Sequence, residues 1–417
     1  MNDSMAIAIE LDQADELASY RNDFIFPKNQ RGQDFLYFAG NSLGLQPKKT
    51  RQFINDELDD WAKLGVEGHL NARHPWLPYH ELVCEKLARV VGAMPIEVVA
   101  MNSVTVNLHL MMTSFYRPNK TRHKIIIEGG AFPSDQYAVQ SQIKLHGFKL
   151  EDSLVELKPR LGEDNLRSED ILATIEKSGS ELALVLLGNV NYLTGQYYNI
   201  SEITRAAHKV GARVGFDLAH GAGNLELKLH DDDVDFAVWC HYKYLNAGPG
   251  AIGGCFVHEK HGHDFSLPRL AGWWGHNKSS RFKMGPNFDP IPGAEGWQIS
   301  NPPIFQLAAL RASLEIFDAA RMPRLAKKSR ALTAFLEKQI KDLPALSVVT
   351  PSNPEERGTQ ISLRAKNLGQ EFTHTLQQKG VICDFREPDI IRVAPAPLYT
   401  RYQDIIKLVE VLKDCLK

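Results

Sequence analysis

Apolar residues recur at Ile54, Leu58, Trp61 and Leu64, and again at Leu82, Val83, Leu87 and Val90. This three-to-four spacing predicts helices over 51–64 and 80–91. Asn102 and Ser103 are good helix caps, and Leu108, Met111, Met112 and Phe115 follow on one face. Continuous apolar runs then alternate with helical patterns. Strands are predicted at 124–128, 182–187, 213–216, 235–240 and 252–257. Pro133-Ser134-Asp135 opens one helix, to about His146, and Ser201 caps another that ends near Gly211. Alternation of this kind predicts an α/β fold with a large, doubly wound, mostly parallel sheet. Residues 320–343 read as a charged helix bridging to a small α+β C-terminal domain. Its short strands are expected at 346–350, 360–363, 381–385 and 390–393, and its helices at 369–378 and 400–416. The predicted division is an arm over 1–50 that joins the small domain, a large domain over 51–310, and a bridge and small domain over 311–417, with the boundary near 305–320.

Composition narrows the function classes. The chain has 417 residues, 43% of them hydrophobic, enough for a large core, and its formal charge of −2 gives no reason to expect nucleic acid or an anionic membrane. No apolar run approaches the roughly 20 residues of a membrane span. The first residues are acidic and lack the basic start and apolar core of a signal peptide. The five cysteines (84, 240, 255, 383 and 415) are scattered and mostly apolar in context, as in a reduced cytosolic protein.

Two polar residues stand where apolar runs stop. Asp217 ends one run, and Lys243, 26 residues later, ends another. Either alone is usually a cap or a solvated surface charge. Together, at the carboxyl edge of an open sheet, they suit pyridoxal phosphate. A lysine amine reaches the aldehyde carbon, and a carboxylate keeps the ring nitrogen protonated. Asn102-Ser-Val104-Thr105 opens a helix and is either an ordinary cap or a phosphate cup. Phe132 offers a flat ring for stacking, or is a core residue. Arg392 on a short strand is either a surface residue or a fork for an α-carboxylate.

Other motifs read as plain structure. Gly248-Pro-Gly250-Ala-Ile-Gly253 leads into a strand, so it is no dinucleotide fingerprint. It turns the chain or lets the backbone pass close to the cofactor. His258-Glu-Lys-His261-Gly-His263 lacks metal-ligand spacing, and a solvated loop is expected, with no metal site. Asp231-Asp-Asp233 is expected to be a solvated turn. There is no nucleophile elbow and no Walker loop.

Seven blocks occur in an order that resembles the kynureninase family. They are Gly40-Asn-Ser-Leu-Gly-Leu-Gln-Pro, Phe132-Pro-Ser-Asp, Phe216-Asp-Leu-Ala-His, Tyr242-Lys-Tyr-Leu-Asn-Ala-Gly, Gly272-Trp-Trp-Gly-His, Ser300-Asn-Pro-Pro and Arg392-Val-Ala-Pro. The resemblance runs from about residue 35 to 400. It implies a pyridoxal-phosphate hydrolase of the aspartate aminotransferase fold (fold type I, class V), which splits L-kynurenine or its 3-hydroxy form into an anthranilate and L-alanine in tryptophan breakdown or NAD synthesis.

By the same resemblance, Lys243 carries the cofactor and Asp217 pairs with its ring nitrogen. Val104, Thr105, Phe132, Asp135, His220, Tyr242, Trp273 and Asn301 surround it, some from a second subunit of a homodimer. Arg392 clamps the substrate carboxylate. Ser42, His69 and Asn301 border the substrate ring, which implies a preference for the 3-hydroxy substrate, and Tyr242 is a candidate proton donor. Gly188 departs from the family, where some relatives have Ser or Thr. A cysteine desulfurase is the related alternative, but Cys383 reads as core. A non-catalytic relative is expected to lose Lys243 or Arg392, and both are present.

Overall fold

The computed structural model describes residues 3–365 and 368–416. The ends of the predicted arm and small domain, residues 1, 2 and 417, therefore lie outside the described residues, as do 366 and 367. A seven-stranded sheet runs in the order Val98–Ala100, Gly253–Val257, Phe236–Cys240, Arg213–Asp217, Leu182–Gly188, Lys124–Glu128, Leu154–Leu157. The last five pair in parallel, and Gly253–Val257 is antiparallel to both its neighbours.

The apolar runs become strands because both faces of the sheet are covered. Alternate residues divide between two cores. Ile126, Val185, Leu187, Val214, Phe216, Ala237 and Trp239 belong to one. Ile125, Ile127, Leu184, Leu186, Phe236 and Val238 belong to the other. The helices Glu81–Val91, Ile200–Lys209 and Ile304–Ala320 supply apolar residues to the first core, and Val104–Phe115 and Pro133–Leu145 to the second.

The C-terminal unit has a four-stranded antiparallel sheet, Ser347–Val348, Ile361–Arg364, Ile390–Val393, Asp384–Arg386, covered by Met322–Ile340, Gln370–Gln378 and Tyr402–Cys415. Its core takes in Ala8 and Phe38 from the N-terminal arm.

Several local expectations change. The predicted strand 381–385 divides, with Val381–Ile382 pairing in parallel with Leu36–Tyr37 of the arm while Asp384–Arg386 joins the small sheet. The charged bridging helix starts at Met322. Residues 305–320 form a separate helix, Ile304–Ala320, that packs on Thr50–Leu64 and Glu81–Val91. Arg321, at φ +66°, breaks the two apart, and Pro323 opens the second. Asn199, not Ser201, caps the helix Ile200–Lys209, its side chain accepting from the Glu202 N–H.

The histidine segment is not a solvated loop, because His258 and His261 are buried. His261 and His208 both bond the buried Asp235 carboxylate, at 2.6 and 2.9 Å. Glu97 Oε1 meets His230 Nδ1 at 2.9 Å and accepts from the Glu259 N–H, also at 2.9 Å. His258 Nδ1 accepts from the Lys260 N–H. Glu97, His230 and His258 stand close enough to share an ion, but these N–H contacts already engage the facing atoms of Glu97 and His258. Asp233 is likewise paired, with Lys260.

Candidate active site

Five strand ends meet at the carboxyl edge of the sheet, and three of them carry a charged group that the apolar run could not accommodate. Glu128, Gly188 and Asp217 close their strands, Tyr242 and Lys243 follow Cys240, and Val104 begins the helix after Ala100. These residues, with Phe132, Asp135, Tyr192, His220 and others, line one cavity of about 460 Å³, its open mouth included. The adjacent parallel strands Arg213–Asp217 and Phe236–Cys240 are what bring Asp217 and Lys243 together.

Lys243 Nζ lies 3.1 Å from His220 Nε2 and 5.7 Å from the centroid of the Phe132 ring. Burial, then the charges of Lys243 and Arg392, push His220 well below its ordinary value, so the imidazole stays neutral and accepts a hydrogen bond from the lysine amine. Burial also raises Asp217, with Lys243 opposing the shift. Asp135 is raised well above the usual carboxyl range by burial and by the neighbouring Asp217 charge. The two are coupled: the Asp217 charge disfavours a charge on Asp135, while Lys243 favours the charge on Asp217. Asp217 accepts from the Ala219 N–H at 2.7 Å. The backbone of Gly44 crosses so close to Lys243 that a Cβ there would stand 2.3 Å from the Lys243 carbonyl oxygen, which explains the glycine in the Gly40–Pro47 block.

The first turn of Val104–Phe115 has no side-chain cap. Ser103 is extended without a cap bond, and Asn102 turns its amide to Asn107 instead. Free N–H groups at a helix start suit a phosphate. Buried atoms left without a partner, Asp135 Oδ1 and His220 Nδ1, face the same region. With a lysine amine, an Asp carboxyl, a half-exposed flat ring and an open helix N-terminus around one cavity, the residues fit pyridoxal phosphate.

Arg392 is buried on the small sheet. Its Nη1 donates to the Tyr192 carbonyl at 2.7 Å and its Nη2 to Ser42 Oγ at 3.1 Å, and it pairs with Asp384, while its Nε has no partner. Ser42 thus stands beside Arg392, and Thr105 is in the first helical turn beside Val104. Six expected site residues do not line this cavity: Arg392, Ser42 and Thr105, and also Trp273, His69 and Asn301. Trp273 packs on Trp274 and Phe282, and 42% of its surface is exposed. His69 bonds the Val66 carbonyl and meets Trp76 edge-on. Asn301 is exposed.

Sequence reasoning passed over Glu128 and Tyr192. Glu128 carried the same signal as Asp217, an acid closing an apolar run. Tyr192 lies in a turn with no pattern to mark it. A Cβ at Gly188 would stand 2.9 Å from Glu128 Oε1, so the Glu128 carboxyl takes the space of the missing side chain.

Among solved structures, the chain resembles a cysteine desulfurase from Thermococcus onnurineus NA1, with TM-score 0.78, 17% identity, and coverage of 95% of this chain and 97% of that one. It also resembles the cystine C-S lyase C-DES in complex with cysteine persulfide, with TM-score 0.78, 19% identity, and coverage of 91% and 97%. At these identities the likeness establishes the fold alone. Residues 325–412 match the family model described as kynureninase C-terminal domain. The chain is 60% identical to the kynureninase of Myxococcus xanthus, covering 99% of this chain and 97% of that protein. It is 56% identical to that of Koribacter versatilis, with coverage of 97% and 96%. Identity above one half along almost the whole of both chains, over the same fold and with the lysine–aspartate pair in place, means that the protein belongs to the kynureninase family.

Proposed function

We propose that the protein is a pyridoxal-phosphate-dependent hydrolase of carbon–carbon bonds. It cleaves L-kynurenine and water to anthranilate and L-alanine, and 3-hydroxy-L-kynurenine to 3-hydroxyanthranilate and L-alanine. The observation that carries this reading is the meeting of Lys243 and Asp217 on adjacent strand ends in one cavity, in a chain with full-length relatives of that name.

When bound, pyridoxal 5′-phosphate supplies an electron-poor ring that takes up the electrons freed at the substrate α-carbon. The chain does the rest. Asp217 would hold the ring nitrogen's proton, Phe132 would cover a ring face, and the Val104–Thr105 turn and Tyr242 would receive the phosphate. Arg392 binds the α-carboxylate through its fork, beside Ser42. Lys243 serves as the general base for the α-proton, and neutral His220, whose Nε2 lies 3.1 Å from Nζ, holds the amine in place by a hydrogen bond. Water adds to the side-chain ketone, and the bond between the β and γ carbons breaks. Burial pushes the Tyr242 hydroxyl above its ordinary value, so it stays protonated as the donor to the departing carbon.

The desulfurase alternative needs a mobile thiolate. Cys383 instead packs on the small-domain core, and burial pushes its thiol up to about 12.

The enzyme works as a homodimer in the cytosol. Trp273, Phe282 and Met284 form an apolar cluster that is 42%, 56% and 71% exposed in the single chain, a surface suited to a second copy. A partner subunit then brings Trp273, Asn301 and His69 to the cavity. The five cysteines are all unpaired, as in a reducing compartment, and no helix among the described residues is long and apolar enough to cross a membrane.

The test is to mix the purified protein with cofactor and L-kynurenine. Fluorescent anthranilate should appear in the parent and not in Lys243→Ala, and borohydride should attach cofactor to the parent alone. Cofactor trapped on another lysine would overturn the assignment.

A further inference from the structure

Glu128 is almost fully buried, yet it has no cationic partner among the described residues. Its Oε1 accepts from the Gly188 N–H at 2.8 Å, and its Oε2 from Asn191 Nδ2 at 2.7 Å and from the Tyr198 hydroxyl at 3.2 Å. Burying an acid this way is costly, and burial pushes its pKa up to about 7 against the three donors. A purely apolar end would complete the strand without that cost.

The Asn191 contact shows where the grip leads. Asn191 Oδ1 accepts from the N–H groups of Leu193 and Thr194, at 3.0 and 2.9 Å. Its backbone accepts from Gly195 and donates to Gln196. One side chain therefore shapes the whole 191–196 turn, and Glu128 fixes that side chain. The turn presents Tyr192, whose ring meets Phe132 edge-on at 5.3 Å and whose carbonyl accepts from Arg392 Nη1 at 2.7 Å.

We propose that Glu128 is a positioning residue for the carboxylate clamp: it anchors Asn191, Asn191 shapes the turn, and the Tyr192 carbonyl aims the Arg392 guanidinium. Gly188 is the matched half of the device, because only a residue without a side chain leaves room for the Glu128 carboxyl. The proposal rests on the reading of Arg392 as the clamp.

The experiment is a double-mutant cycle on the holoenzyme with L-kynurenine, using Glu128→Ala, Asn191→Ala and their combination, with Arg392→Ala beside them. Each single variant should raise KM by about 5- to 30-fold, as for loss of one or two hydrogen bonds to charge, with kcat changed less than about 3-fold. The double variant should be no worse than about twofold beyond either single one, since both break one linkage. Cofactor affinity, by equilibrium dialysis, should not move in Asn191→Ala, whose side chain does not line the cavity. In the cofactor-free protein, the Leu193 and Thr194 amides should exchange hydrogen faster in Asn191→Ala, and in Glu128→Ala as well. Where Glu128→Ala does not fold, Glu128→Gln, which keeps an acceptor for Gly188, carries the cycle.

Additive effects would overturn the proposal, as would a loss confined to kcat or cofactor affinity. A raised KM in Arg392→Ala with none in Glu128→Ala sinks this proposal and leaves the clamp standing. An unchanged KM in Arg392→Ala sinks both.

Discussion

Asp217 is the residue on which the chemistry turns, and Lys243 and the Ala219 N–H favour its charge against burial. Glu128 and Asp135 crowd it, and burial raises all three carboxyls. Asp217→Asn should retain the cofactor and lose activity by on the order of 10²–10⁴, because an amide cannot hold the pyridinium charge. Single-turnover kinetics of α-proton removal checks this. The same substitution has a pH signature in the cofactor-free protein. A group whose folded pKa is raised contributes stability in full below its unfolded value, about 4 for these acids, and loses it as pH rises through the folded value. For Glu128 that folded value is about 7. Asp217→Asn relieves the crowd, so its melting midpoint relative to the parent should climb between about pH 5 and pH 8. A flat difference would show that the acids are not coupled.

At the scale of elements, the two ends of the sheet do different work. The carboxyl end carries the strained acids of the site. The opposite end carries a fully satisfied one, Asp235, which precedes the Phe236–Cys240 strand. It accepts from Arg213, from the Val214 N–H, and from His208 and His261. It thus ties that strand to its neighbour and to the helix Ile200–Lys209. Hydrogen bonds from these histidines, opposing the burial penalty, hold its carboxyl far below the usual range. Its contribution is present above the unfolded value, near 4, and is lost as pH falls towards the folded one. Asp235→Asn should cost about 3–5 kcal/mol, the range for breaking a buried ion pair. Urea unfolding near pH 7 measures it, and the gap to the parent should close in acid.

For the whole molecule, the position of Trp273, His69 and Asn301 away from the cavity makes the assembly the question. Sedimentation at assay concentration should show a dimer, and a fully active monomer would exclude a shared site. In the dimer, His69 and Asn301 should favour the substrate with a ring hydroxyl, because polar groups left unpaired cost energy. His69→Trp with Asn301→Thr should shift the ratio of kcat/KM for the two substrates several-fold, about 1 kcal/mol for one neutral hydrogen bond, towards L-kynurenine. An unchanged ratio would remove both residues from the ring's surroundings.

What was legible in the chain alone followed from local rules. Runs such as Ile125–Ile127 and Leu182–Leu187 can only be strands covered on both faces, and a polar residue closing such a run must sit at the sheet edge. That logic found Asp217 and Lys243 directly and applied equally to Glu128, where it was not used. The local pattern does not say which distant groups meet. His258 and His261 looked solvated because their partners lie on other elements: Glu97 beside His258, and Asp235, 26 residues before His261. The strand expected over 381–385 divided because the arm, more than 300 residues earlier, supplies a partner for half of it. The neutral state of His220, the coupling of Asp135 with Asp217, and the seating of Glu128 in the space beside Gly188 are likewise tertiary. Each depends on burial and on charges brought in from other strands, which no spacing along the chain encodes.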